Sequence, residues 1–133
     1  MATIRIETTV NAPAARVWDA IRDYGALHTR LVPGFVVDTR LEGDSRMVTF
    51  GNGMVAREWI VAVDDQARRF AYAIVSDRLS HHSASNQVVP EGEGACRFIW
   101  TADVLPDTAV ETMEPMMRQG AAVLKATLEA AAR

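Results

Sequence analysis

Over residues 3–10 apolar and polar residues alternate, with Ile4, Ile6, Thr8 and Val10 on one side and Arg5, Glu7 and Thr9 on the other. A period of two carried by β-branched residues predicts a half-buried strand. Asn11-Ala12-Pro13 stops it, with Asn11 the expected helix N-cap and Pro13 tolerated in the first helical turn. The period then changes: Val17, Trp18, Ile21 and Tyr24 recur at helical spacing, and Gly25 is expected to end that helix. A second short helical piece is expected over 26–31, before Pro33-Gly34 breaks the chain.

Beyond Gly34 the texture is that of strands, expected over 35–42, 46–50, 54–64, 68–76, 79–89 and 95–104. Between them lie the turn clusters Glu42-Gly43-Asp44-Ser45, Gly51-Asn52-Gly53, Asp64-Asp65-Gln66, Ser76-Asp77 and Pro90-Glu91-Gly92-Glu93-Gly94. Asn-Gly is the strongest short hairpin signal among these. Turns this short join antiparallel neighbours only, since a parallel crossover needs a dozen or more residues. A final helix opens at Asp107 or Thr108, where Val110, Met113, Met117, Gly120, Leu124 and Leu128 fall at steps of three and four. Pro115 interrupts that stripe, so a kink or a restart is expected there, with the main helix from about Pro115.

The predicted architecture is α+β: a curved, seven-stranded antiparallel sheet wrapped around one long C-terminal helix, with one or two short helices after the first strand. Only that helix is available to cover a sheet face, and a bent sheet around a helix leaves room for a cavity. The 133 residues, 49% apolar and 23% charged, suit one domain with a real core. Seventeen acids against fourteen bases lack the basic stripe of a nucleic-acid grip. The single Cys96 excludes an internal disulfide, and with one local arginine and no base partner it is expected to be structural. Apolar runs are too short for a membrane span, and the first ten residues carry no signal-peptide block, so a cytoplasmic protein, monomeric or weakly dimeric, is expected. No metal is expected, because His28 is distant and the adjacent His81 and His82 diverge on a strand. No cofactor is implied either: the Gly-x-Gly pairs are hairpin turns with no helix following.

Asn11-Ala12-Pro13 with Val17-Trp18, Asp23 and Pro33-Gly34 resembles the N-terminal signature of the START-like, helix-grip superfamily. That group includes polyketide cyclase/dehydrase-like proteins, the birch-pollen allergen family and plant abscisic-acid receptors. Arg57-Glu58-Trp59, Arg69-Phe70-Ala71-Tyr72, Trp100-Thr101-Ala102 and Gly120 with Leu124-Lys125 continue the resemblance in order along nearly the whole chain. It speaks to fold more than to function, since this fold hosts carriers, receptors, cyclases and hydrolases.

On the fourth strand the even set (Met54, Ala56, Glu58, Ile60, Ala62) and the odd set (Val55, Arg57, Trp59, Val61, Val63) are nearly equally apolar, so parity leaves the inward face open. The resemblance implies that Glu58 points inward with Tyr72 beside it. An inward Glu58 without a full salt bridge would be desolvated, its pKa raised, and fit for general acid or base work. The alternatives are pairing with an arginine, or an outward position. Only one of His81 and His82 can face inward. The resemblance favours His82, followed by Ala84 and Asn86; the plainer expectation is one core and one exposed histidine. Glu58 and His82 are thus the candidate catalytic residues.

The expected cavity wall comprises Phe35, Glu58, Tyr72, Ile74, His82 and Asn86. Trp100, Met113, Met117 and Leu124 complete it, the methionines adapting to varied apolar ligands. The Pro33-Gly34, Gly51-Asn52-Gly53 and Ser76-Asp77-Arg78 turns are its expected moving rim. The leading functional expectation is a binding module for a hydrophobic or aromatic, lipid- or polyketide-like molecule. The alternative is a cofactor-independent polyketide cyclase or dehydrase, and a third is a protein-interaction domain.

Overall fold

Alternation builds β1 (Ala2–Val10), and the run of turn clusters divides the middle of the chain into β2 (Val36–Glu42), β3 (Ser45–Phe50), β4 (Val55–Asp64), β5 (Arg69–Ile74), β6 (His81–Pro90) and β7 (Cys96–Leu105). Two α-helices flank this block, α1 (Ala14–Arg22) and α2 (Val110–Ala131). The computed structural model describes residues 1–133. Its seven strands form one antiparallel sheet in the order β1-β7-β6-β5-β4-β3-β2, so the meander closes when β1 pairs with β7.

The register follows from the turns. Gly43, at φ +58°, makes the tight β2–β3 turn that pairs Glu42 with Ser45. Gly53, at φ +91°, closes the β3–β4 turn, where the Gly53 N–H donates to the Phe50 carbonyl at 2.9 Å. Parity on β4 resolves to the even set, with Glu58 buried and Val55 and Trp59 exposed. That parity does not hold to the end of the strand. A bulge at Val61 sets Ala62 opposite Ala71 and Val63 opposite the buried Phe70. One extra residue flips every later side chain, so Ala62 leaves the inner face it was expected to share.

Three local expectations are corrected. Asn11 does not cap α1, because the helix begins at Ala14 with Pro13 at the cap position, too far from Asn11. The Pro13 carbonyl instead accepts from Arg16 and Val17, while the Asn11 N–H donates to Glu129 Oε2 at 2.8 Å. Nor does Gly25 end α1. The helix stops at Asp23 (ψ 64°), whose carboxylate pairs with Arg30 at 2.9 Å. A 3-10 turn (Tyr24–Ala26) and a single π turn (Leu27–Leu31) follow. Finally, α2 is continuous from Val110 and does not restart at Pro115. The proline strips a partner only from the carbonyl of Glu111, which is exposed, so water can satisfy it.

The core lies where α1 and the C-terminal half of α2 meet the sheet, around Val10, Val17, Trp18, Phe98, Val104 and Leu128. No helix is long and apolar enough to cross a membrane.

Candidate functional site

The two halves of α2 are held differently. Lys125 Nζ donates to the Thr9 carbonyl at 2.6 Å, and Glu129 accepts from both Lys125 and the Asn11 N–H. The Lys125 hydrogen bond, and then that of Asn11, holds the Glu129 carboxyl below its ordinary range. These contacts fasten the C-terminal half of α2 to the end of β1. Toward its N-terminus the helix stands off the sheet, over a cavity of about 540 Å³. Its ceiling is Met113, Met116, Met117, Gly120 and Leu124 on α2, and the π turn contributes Leu27 and Leu31 at one side. Gly120 is needed for close approach: a Cβ there would sit 3.0 Å from the Phe35 ring and 3.2 Å from that of Trp100.

All ten residues singled out above for the cavity wall lie on this one surface. Phe35 comes from the loop before β2, Glu58 from β4, Tyr72 and Ile74 from β5, and His82 and Asn86 from β6. Trp100 comes from β7, and Met113, Met117 and Leu124 from α2. Of the rim turns, Ser76 and Arg78 border the opening. The other two are joined to each other, the Gly51 N–H donating to the Phe35 carbonyl at 2.9 Å.

The buried polar groups stand on the sheet side, while Thr108, just before α2, and Thr112, in its first turn, are exposed at the rim. Glu58, 5% exposed, is not the unpaired carboxylate that the argument for a raised pKa required. Arg46, also 5% exposed, meets Glu58 Oε1 from Nε at 2.8 Å and from Nη2 at 2.7 Å, and its Nη1 donates to the Tyr24 carbonyl at 3.2 Å. The guanidinium also lies over the Phe70 and Tyr72 rings, 5.0 and 5.6 Å from their centroids. Next along the sheet, Tyr72 Oη accepts a hydrogen bond from Trp100 Nε1 at 3.0 Å. Burial, and then the Glu58 charge, push the Tyr72 phenol pKa up, so its proton stays on.

The two histidines divide as the plainer expectation had it: His81 is exposed against Ser83, and His82 is buried. His82 also lines the cavity, its ring 5.7 Å from that of Tyr72. Its Nδ1 accepts the Ile74 N–H at 3.0 Å, so the neutral ring carries its proton on Nε2. Burial, and then neighbouring His81, lower its pKa to about 4, so the ring is neutral at pH 7. Asn86 lies two residues beyond Ala84 on the same face.

Arg46 is the residue that sequence reasoning missed. The signal was present, since Arg46 and Glu58 are equidistant from Asn52, the middle of the hairpin turn, and so face each other across β3 and β4.

A model of the family "polyketide cyclase / dehydrase and lipid transport" matches residues 1–129. Among solved structures, one from Thermobifida fusca is 31% identical with a TM-score of 0.78, covering 97% of this chain and 91% of that one. Norcoclaurine synthase from Thalictrum flavum, solved with dopamine and hydroxybenzaldehyde, is 21% identical with a TM-score of 0.72, covering 94% and 84%. The di-domain ARO/CYC protein BexL is 19% identical with a TM-score of 0.79, the match covering 97% of this chain and 47% of that one. The last two likenesses, at this identity, show the fold alone. None of the curated proteins matches the chain significantly.

Proposed function

The chain belongs to the polyketide cyclase/dehydrase and lipid transport family, and on that premise we propose that it binds an apolar small molecule between its sheet and α2. The observation that carries this reading is the cavity itself. Its volume of about 540 Å³ falls in the range of small-molecule sites, roughly 300–1,000 Å³. Twenty of its 31 lining residues are hydrophobic, so transfer of an apolar body from water is favourable there. Phe35, Ile74, Met113, Met117 and Leu124 hold that body; Glu58, Tyr72, His82 and Asn86 orient it.

Native mass spectrometry of the protein purified from its own host tests the proposal. A non-covalent adduct is expected, lost on denaturation and absent from Met117→Trp, whose indole would occupy the space. A bare mass, together with no uptake of any added aromatic probe, would overturn it.

A second reading, cofactor-independent cyclisation or dehydration of a poly-β-ketone, draws on one further observation. A carboxylate (Glu58) and a phenol that keeps its proton (Tyr72) line the same cavity, and proton transfer needs such complementary groups. Conservative replacement separates the readings. Glu58→Gln lowers kcat if the site turns substrate over, and changes only affinity if it is a carrier.

A further inference from the structure

The free hydrogen-bonding valences of the buried residues in the cavity wall are few and can be counted. Both Arg46 contacts with Glu58 use Oε1, leaving Oε2 without a protein partner. Tyr72 accepts from Trp100 but donates to nothing in the protein. His82 uses Nδ1 alone, and the Asn86 carboxamide, on a residue 8% exposed, makes no hydrogen bond at all. Glu58 Oε2, His82 Nε2 and the Asn86 amide atoms are not sealed in the protein, because the only enclosed side-chain atoms without a partner are His28 Nδ1 and Thr39 Oγ1, whereas Tyr72 Oη is buried with Trp100 Nε1 on it. The remaining valences of Glu58, His82 and Asn86 therefore open on the cavity that these residues line. The charges, in contrast, are spent. Arg46 and Glu58 neutralise each other, and Arg57 lies over Trp59 and donates to Ser45 Oγ at 2.7 Å. Arg78, exposed at the mouth, is the only other charged lining residue.

Building on the proposed function, we infer that this cavity selects an uncharged ligand bearing both a hydroxyl and a carbonyl oxygen on an apolar, aromatic-sized body. The hydroxyl donates to Glu58 Oε2. The carbonyl accepts from His82 Nε2–H and the Asn86 amide, one on each lone pair. The rest of the molecule lies against the methionines of α2, which supply no polar atom other than soft thioethers. A carboxylate seated there would be desolvated beside Glu58, and an ammonium beside Arg46, with no free counter-charge for either.

Calorimetric titration at pH 7 with four naphthalenes of one shape tests the inference: acetylnaphthol, ethylnaphthalene, hydroxynaphthoate and a hydroxynaphthyl methylammonium. Acetylnaphthol is expected to bind at least tenfold more tightly than each of the other three. Asn86→Leu, which leaves no protein group without its partner, is expected to weaken acetylnaphthol about tenfold and leave ethylnaphthalene unchanged. Equal binding of ethylnaphthalene and acetylnaphthol would overturn the inference and leave the binding proposal standing. So would a tighter carboxylate whose affinity falls in Arg78→Gln, since that places an anionic head at the mouth. Failure of all four probes to bind would remove both.

Discussion

Arg46 and Glu58 make a contact whose half-removal is worse than its complete absence. Each is buried, so Arg46→Ala or Glu58→Ala strands the other charge at an expected cost of about 3–5 kcal/mol. Replacing both by apolar residues of similar volume, Arg46→Met with Glu58→Leu, is expected to destabilise less than either single change in urea unfolding. His82 sets a second residue-scale expectation. Its folded pKa of about 4 lies below the ordinary 6.5, so between these values the unfolded chain binds the extra proton. Stability from this group is complete above about pH 6.5 and is lost as pH falls toward 4. The total is roughly 3 kcal/mol, at about 1.36 kcal/mol per pKa unit. Urea midpoints of the protein and of His82→Gln across that window check it: the difference between them should shrink as pH falls.

Turns dock elements onto one another, and two of them make separate predictions. A Cβ on Gly51 would lie 2.4 Å from the Gly34 carbonyl oxygen, a backbone atom that cannot rotate away. Gly51→Ala is therefore expected to part the β3–β4 hairpin from the Pro33-Gly34 turn. The cost is about 1–3 kcal/mol, with faster amide exchange at both turns and unchanged protection in β6 and β7. The β4–β5 turn is docked through Asp65, which accepts from Arg22 at 2.8 Å and from Trp18 Nε1 at 3.0 Å. Those bonds, that of Arg22 first, hold its carboxyl below the usual range. The same turn ends on Arg68 at φ +51°, a left-handed position unfavourable to a side chain, although strand pattern alone had started β5 there. Arg68→Gly is expected to be neutral or stabilising by up to about 1 kcal/mol.

As a whole the molecule has a packed end and a cavity end, and equal deletions should register differently at the two. Leu128 is buried where α2 is fastened to β1, so Leu128→Ala is expected to cost about 2–5 kcal/mol. Met113 already borders empty space, and Met113→Ala is expected to cost about 1 kcal/mol or less while enlarging the cavity. A bound ligand reverses the contrast. At a hundred times its Kd it should raise stability by about 2.7 kcal/mol, and Met113→Ala should then diminish the ligand's contribution while Leu128→Ala leaves it intact.

What was legible in the sequence was local. Strand alternation, turn chemistry and the helical stripe each depend on neighbours within a few residues, so seven strands, their antiparallel order and the terminal helix could be read from residues such as Ile4, Gly43, Gly53 and Leu124. The inward position of Glu58 needed the family resemblance, because both faces of β4 are apolar. The Arg46 partner was available from hairpin symmetry but carries no local pattern of its own. The tertiary structure alone decided the rest. The bulge at Val61 reverses parity without a sequence mark, and Pro115 is absorbed because the carbonyl it strands faces water. The space under Met113 and Met117 exists because Lys125 and Glu129 fasten the opposite end of α2. Which polar atoms remain unpaired in that space depends on every other bond those groups make, and those bonds join residues far apart in the chain.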